Sequence, residues 1–491
     1  MHLSALPFIP RLTPWLILCF WLMSFNSGFA QDNKPEDLAE ANTLSYALTH
    51  GKFKGLLRYS GQYRDSNLHV LQDSSSASAA HKKIQQYSAG GGYLGFETAP
   101  IYNLSAGATI YTSQPVGNNP DNRRGLGGLY EKDGEQESYT VFGEVYLKYQ
   151  TKEHMVKLGR QEMPNYRFVS LSDIRMTPIT HEGLIYENTQ LSRFRFNFGY
   201  ITKMKERNAD TFIDMARGAQ IKIANNNKPL IRGSYNPDDF KNNNYNGPKK
   251  EMTMASVIYD AESLSLEGWN YFINDFVNTT YLYGDYAFEP LEDYKFKLAA
   301  QYALQKDTGD QVAGNIDTWF YGLKLQLFKG NFNYFLSFNE VRYNENSYDG
   351  GTIFVRWGTP QMFNSFQVQD SELAGTVSVG MGVQYQFDGN SPFSGLNVRL
   401  RYGDYNLPDK LSDTDARQDR TETTLDFNYA FAKDAYLGDI SLDGLSAQLR
   451  IAYNDYTTSY DFEAYKARHG YEFDSVTDDF TDIRFYLNYR F

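Results

Sequence analysis

The sequence predicts an all-β fold: a transmembrane antiparallel β-barrel of eighteen strands with an infolded constriction loop. Three observations predict it. The last nine residues alternate strictly, with Ile483, Phe485, Leu487, Tyr489 and Phe491 on one face and Arg484, Tyr486, Asn488 and Arg490 on the other, as successive strand side chains do. The same alternation returns along the chain from about residue 52 to the end. No apolar stretch after residue 30 reaches the roughly 18 residues that a spanning helix needs, although 78 residues are Phe, Trp or Tyr. An apolar, aromatic face backed by a polar one suits a barrel that is greasy outside and wet inside.

The elements follow in chain order. Arg11, the apolar run Trp15 to Met23 and the small-x-small site Gly28-Phe29-Ala30 predict a cleaved secretory signal over 1–30. The only cysteine, Cys19, leaves with it, so no disulfide or thiolate metal site is expected in the mature chain. Residues 31–50, acidic and then Ala-rich, read as a short periplasmic extension, and 51–491 as the outer-membrane barrel. The strands are expected at 52–64, 84–98, 103–114, 138–150, 153–160, 183–190, 194–205, 251–260, 263–274, 278–288, 293–305, 316–328, 331–343, 373–388, 394–406, 418–431, 444–457 and 480–491. Long gaps (65–83, 115–137, 161–182, 206–250, 344–372, 458–479) alternate with short ones such as 151–152, 191–193 and 329–330. Long loops on one side and tight turns on the other are the outer-membrane pattern, and an even strand count puts both termini in the periplasm. No helical period competes with the strands.

The polar face is also basic. Arg193, Arg195 and Asn197 oppose Phe194, Phe196 and Phe198; Lys295 and Lys297 oppose Phe296 and Leu298; Arg399 and Arg401 oppose Val398, Leu400 and Tyr402. Lys54, Arg58, Lys148, Lys324, Arg450, Arg484 and Arg490 follow the same phase, whereas the acids on that face are Glu144, Asp285, Glu422, Asp426 and Asp482. After signal cleavage 46 Lys and Arg stand against 59 Asp and Glu, a net charge of −13. The surplus acid therefore belongs mainly to loops and turns. That balance argues against nucleic acid as a partner. A basic lining in a low-dielectric channel concentrates anions, and guanidinium groups spaced i,i+2 offer successive weak sites for carboxylates. The plainer reading is that these cations only brace the wall against loop carboxylates.

Segment 161–182 has the makings of a constriction. It carries Tyr166, Arg167, Phe168, Asp173 and Arg175, with Pro164 and Pro178 stiffening its ends. Other signals fall away. Gly90-Gly91-Gly92-Tyr93-Leu94-Gly95 fits G-x-G-x-x-G, but a strand follows it where a nucleotide site needs a helix. None of the six mature histidines lies within five residues of another, so no metal site is expected, and no cofactor and no catalytic residues either.

The sequence resembles the OprD-type family of substrate-specific outer-membrane porins. The likeness is clearest in Tyr93-Leu94-Gly95-Phe96-Glu97-Thr98 with Leu104 to Ala108, in Lys157-Leu158-Gly159-Arg160-Gln161 with Ser172 to Pro178 and Glu182-Gly183, and in Gly199-Tyr200-Ile201-Thr202 with Lys205, Arg207-Asn208 and Phe212. The resemblance implies an eighteen-stranded barrel, a third loop that folds inward, and a ladder of basic wall residues that guides carboxylates. It extends that role to Arg193, Arg195, Arg399 and Arg401. With Arg58, Lys295, Lys297 and Arg450 these make the expected pore lining, and Tyr166, Arg167, Asp173 and Arg175 the expected constriction. The expected function is passive, selective diffusion of small carboxylate-bearing solutes such as amino acids, short peptides or organic acids. The expected surroundings are outer-membrane lipid and lipopolysaccharide, the barrel-assembly machinery acting through the C-terminal strand ending in Phe491, and a homotrimer as the candidate assembly. The alternative is a closed barrel that serves as a surface receptor or adhesin through its long loops.

Overall fold

Strand alternation becomes an inside-out pattern of burial. On Tyr294–Asp307, Gln301 and Gln305 are buried while Leu298 and Tyr302 are exposed; on Phe332–Val341, Ser337 and Asn339 are buried while Tyr334 and Leu336 are exposed. Apolar side chains outside and polar ones inside define a barrel made for lipid. The computed structural model describes residues 42–69, 80–117, 138–172, 174–207, 209–224, 250–311, 313–355, 357–359, 361–369, 371–389, 391, 393–408, 419–456 and 476–491. The expected signal, residues 31–41 of the extension and Asp173 lie outside them.

Eighteen long strands form the wall: β1 (Lys52–His69), β2 (Ala80–Glu97), β3 (Leu104–Pro115), β4 (Tyr139–Gln150), β5 (His154–Gln161), β6 (Thr180–Asn188), β7 (Phe194–Lys205), β8 (Met252–Asp260), β9 (Leu264–Ile273), β10 (Val277–Leu291), β11 (Tyr294–Asp307), β12 (Asp317–Lys329), β13 (Phe332–Val341), β14 (Val377–Gln386), β15 (Leu396–Asn406), β16 (Arg420–Ala430), β17 (Leu445–Tyr456) and β18 (Val476–Arg490). Each pairs antiparallel with the next, and Leu56 of β1 opposite Arg490 of β18 closes the ring. Closure leaves no open edge, which a membrane requires because lipid cannot satisfy bare backbone groups. At the seam the Phe491 ring lies over Gly55, where a Cβ would come within 2.1 Å of it, and the Phe491 N–H donates to the Gly55 carbonyl at 3.2 Å.

The structure departs from the sequence expectation in three ways. β1, β2 and β18 run four or more residues further toward the long loops than the alternation indicated. Above the hydrocarbon layer both strand faces are wet, so the apolar period fades while the pairing continues. Two helices also form where none was expected. α1 (Leu44–Thr49) is capped by Thr43 Oγ1, which accepts the Tyr46 N–H at 3.1 Å; its Ala47 carbonyl accepts the Ala99 N–H at 2.9 Å, docking the extension on the β2–β3 turn. α2 (Met215–Ala224) lies in the 206–250 connection.

The third departure is a second infolded segment between β13 and β14. Its Phe354, Val355 and Trp357 are fully buried, and they share one apolar cluster with Phe168 and Val169 of the 161–182 loop and with Met215, Ala216 and Ala219 of α2. Three connections thus build a hydrophobic core inside the barrel. Polar bonds lock it: Trp357 Nε1–H donates to the Met215 carbonyl at 2.7 Å, His181 Nε2 lies 2.9 Å from the Trp357 carbonyl, and Thr359 Oγ1–H donates to the Leu171 carbonyl at 2.7 Å.

Candidate functional site

The constriction loop between β5 and β6 crosses the lumen. At one end Arg167 forks onto Glu267 of β9 (Nε–H to Oε2, 2.8 Å) and lies over the Tyr283 ring, while the Tyr271 hydroxyl donates to the Arg167 carbonyl at 2.7 Å. Two parallel N–H···O bonds fix orientation as well as position. The Tyr166 hydroxyl donates to Glu187 of β6. At the other end Arg175 reaches Gln62 of β1 at 3.3 Å, its carbonyl accepts from Arg58, and the Tyr486 hydroxyl of β18 donates to the Ile174 carbonyl at 3.0 Å. Burial works against the charge on Arg167, but the Glu267 carboxylate outweighs it and holds the group above the usual arginine range. For Arg175 burial dominates, and the like charges of Arg484 and Arg207 add to it, so its affinity for the proton falls.

The basic residues gather on one sector of the wall, from β11 round to β1. Strand register decides how they meet. Arg399 stands opposite Asp426, Asp426 opposite Arg450, and Arg450 opposite Arg484. In the next row Arg401 is opposite Thr424, and on the far side Asp482 is opposite Arg64. Asp426, wholly buried, consequently accepts from three guanidinium groups: Arg399 at 2.8 Å, Arg401 at 3.0 Å and Arg450 at 2.9 Å. Asp482 holds Arg64 at 2.8 Å and Arg484 at 2.6 Å. One carboxylate cannot cancel three cations, so the sector stays positive toward the lumen. Toward the short-turn rim, Lys297 pairs with Asp285 at 2.9 Å, and Lys295 sits exposed 3.8 Å from Glu289. Arg58 donates to Asn488 at 2.6 Å.

Two expected members stand apart. Arg193 lies exposed in the turn before β7, in a left-handed conformation (φ 68°), because the alternation of 193–201 begins one residue before the strand does. Arg195 does face inward but on β7, near Tyr166 and away from the Asp426 sector. Conversely Arg64, outside the expected lining, belongs to the sector and shares the parity of Arg58.

Beside Arg399 and Arg401 a cavity of about 210 Å³ opens, walled by Lys324, Phe335, Phe363 and Phe366 and floored by Gln326, Asn333 and Gln384. Lys324 makes no ion pair among the described residues and lies over the rings of Phe335 (4.8 Å) and Phe363 (5.8 Å), while Arg401 lies 4.7 Å from the Phe366 centroid. A cation over a ring face is attracted to it, and the same rings line the space. Phe363 and Phe366 come from the second infolded segment, within the long gap expected at 344–372. Its length and its aromatic content were the signal: long loops without structure of their own are uncommon in compact folds.

The chain's relatives share this architecture. The crystal structures of three Pseudomonas aeruginosa proteins superpose closely: OccK9 (OpdG), with a TM-score of 0.67 at 16% identity over 90% of this chain and 99% of that one; OpdQ, 0.65 at 16% over 91% and 99%; and OpdK with vanillate, 0.63 at 17% over 90% and 98%. At such identities the likeness is one of fold. No protein of curated function matches the chain significantly in sequence. The sequence pattern of the outer membrane porins of the OprD family, however, matches residues 117–473. The chain therefore belongs to the OprD family of outer membrane porins, and it is a substrate-specific channel integral to the outer membrane.

Proposed function

We propose that this porin passes small carboxylate-bearing solutes, and that those carrying an aromatic ring are favoured at the pocket of Lys324, Arg399 and Arg401. The observation that carries the reading is the surplus of cations over carboxylates around Asp426, directly beside three phenyl rings. A carboxylate meets the guanidinium groups with charge-assisted hydrogen bonds, and an apolar ring attached to it lies against Phe335, Phe363 and Phe366. Transit needs several sites that are each weak enough to leave; Lys297, Lys324 and the arginines around Asp426 and Asp482 supply them in series. A similar structure, that of Pseudomonas aeruginosa OpdK, was determined with vanillate, itself an aromatic carboxylate. The family favours a channel over the receptor reading.

The double substitution Arg399→Gln, Arg401→Gln tests the proposal. It removes two positive charges from the lumen wall and leaves Arg450 to hold Asp426. The expected result is a smaller anion preference in reversal-potential measurements and slower benzoate entry into proteoliposomes, with entry of a neutral sugar unchanged. A folded double variant with wild-type selectivity would remove the pocket from the permeation path.

A further inference from the structure

Above the Asp426 row, Glu422 of β16 points inward and is wholly buried. It makes no ion pair among the described residues. Instead it gathers backbone donors from the second infolded segment: Oε1 accepts the N–H groups of Gln367 (3.2 Å) and Val368 (2.9 Å), and Oε2 accepts that of Gln369 (3.0 Å). Side chains of the same turn reach the wall on either side, Gln367 Nε2 to Asp482 at 2.8 Å and Gln369 Nε2 to Asn454 at 2.9 Å. Phe366 immediately precedes the turn. Its N–H donates to the Gln369 carbonyl at 3.0 Å, and its ring fills the space over Gly403, where a Cβ would stand 2.9 Å from it. From there the ring covers the Arg401 guanidinium.

We propose that Glu422 is the positioning residue of the pocket: its carboxylate fixes the 366–369 turn on the wall and thereby sets the aromatic ring of Phe366 over Arg401. The inference rests on the carboxylate-pocket reading above. A carboxylate suits the task because both of its oxygens can accept, whereas an amide in its place turns an NH2 toward one of the three N–H donors. Backbone donors held this way cannot rearrange without leaving buried N–H groups bare.

The test compares wild type with Glu422→Gln, Gly403→Ala and Phe366→Ala in planar bilayers, reading the half-blocking concentrations of benzoate and of butyrate. Losing the ring–cation contact should cut the benzoate-over-butyrate preference about threefold to tenfold in all three variants. Gly403→Ala reaches that end by displacing the ring, with no change of charge. Loss of the Glu422 charge by itself strengthens block by both acids alike and leaves their ratio at the wild-type value; that result for Glu422→Gln, with the ratio lost in Phe366→Ala, would overturn the positioning role while keeping the pocket. A wild-type ratio in folded Phe366→Ala would instead overturn the aromatic side of the pocket itself, and the positioning role with it. Resistance to sodium dodecyl sulfate without heating checks that each barrel is folded.

Discussion

At the scale of single residues, Asp426 decides more than any cation does. Three guanidinium groups converge on its two oxygens within 3.0 Å. Removing one member of a buried pair costs roughly 3–5 kcal/mol because the partner's charge is left uncompensated; water in the lumen, which reaches Arg399, spares part of that. Asp426→Asn should therefore lower the urea midpoint of the barrel in lipid vesicles and at the same time strengthen block by anions. An unchanged midpoint would mean that the arginines repel one another too little for the shared acid to matter. That Lys297, Lys324, Arg399, Arg401 and Arg450 face inward was legible in the sequence, since parity along a strand is enough. That Asp426 serves three of them was not, because the convergence comes from the register of three strands. Arg193 shows the opposite failure: it shares the parity of the inward face but stands one residue before the strand begins.

At the scale of elements, the strands were legible almost throughout and the connections were not. Strand faces are dictated by two solvents, lipid and water, and each leaves its mark every second residue. Connections fold by contacts that are distant in sequence. The bond from Gln305 Nε2 to the Phe354 carbonyl (2.8 Å) joins a wall strand to the second infolded segment, and nothing in either stretch announces the other. The two-solvent account makes a prediction within one strand. On β13, Leu336 faces lipid and Asn333 faces the cavity. Leu336→Lys should cost about 2–4 kcal/mol if it lies near the bilayer midplane, read as a lower urea midpoint in vesicles, whereas Asn333→Lys should leave the midpoint near wild type. Equal losses in the two variants would show that the lumen is as dry as the lipid.

At the scale of the whole molecule, the charge is divided. The chain carries a net −12 with its signal, yet the lumen sector from β11 to β1 is basic. A lining of that sign inside a low-dielectric wall raises the local concentration of anions. Against this sector the second infolded segment sets the neutral side chains of Phe363, Phe366 and Gln367. The family assignment makes the molecule a channel, and in the function proposed above the distribution of charge selects its solute. The most direct measurement is the reversal potential of single wild-type channels in a planar bilayer under a potassium chloride gradient, repeated with benzoate on one side. The account predicts anion preference and conductance blocked by benzoate. Cation preference, with no block, would contradict it.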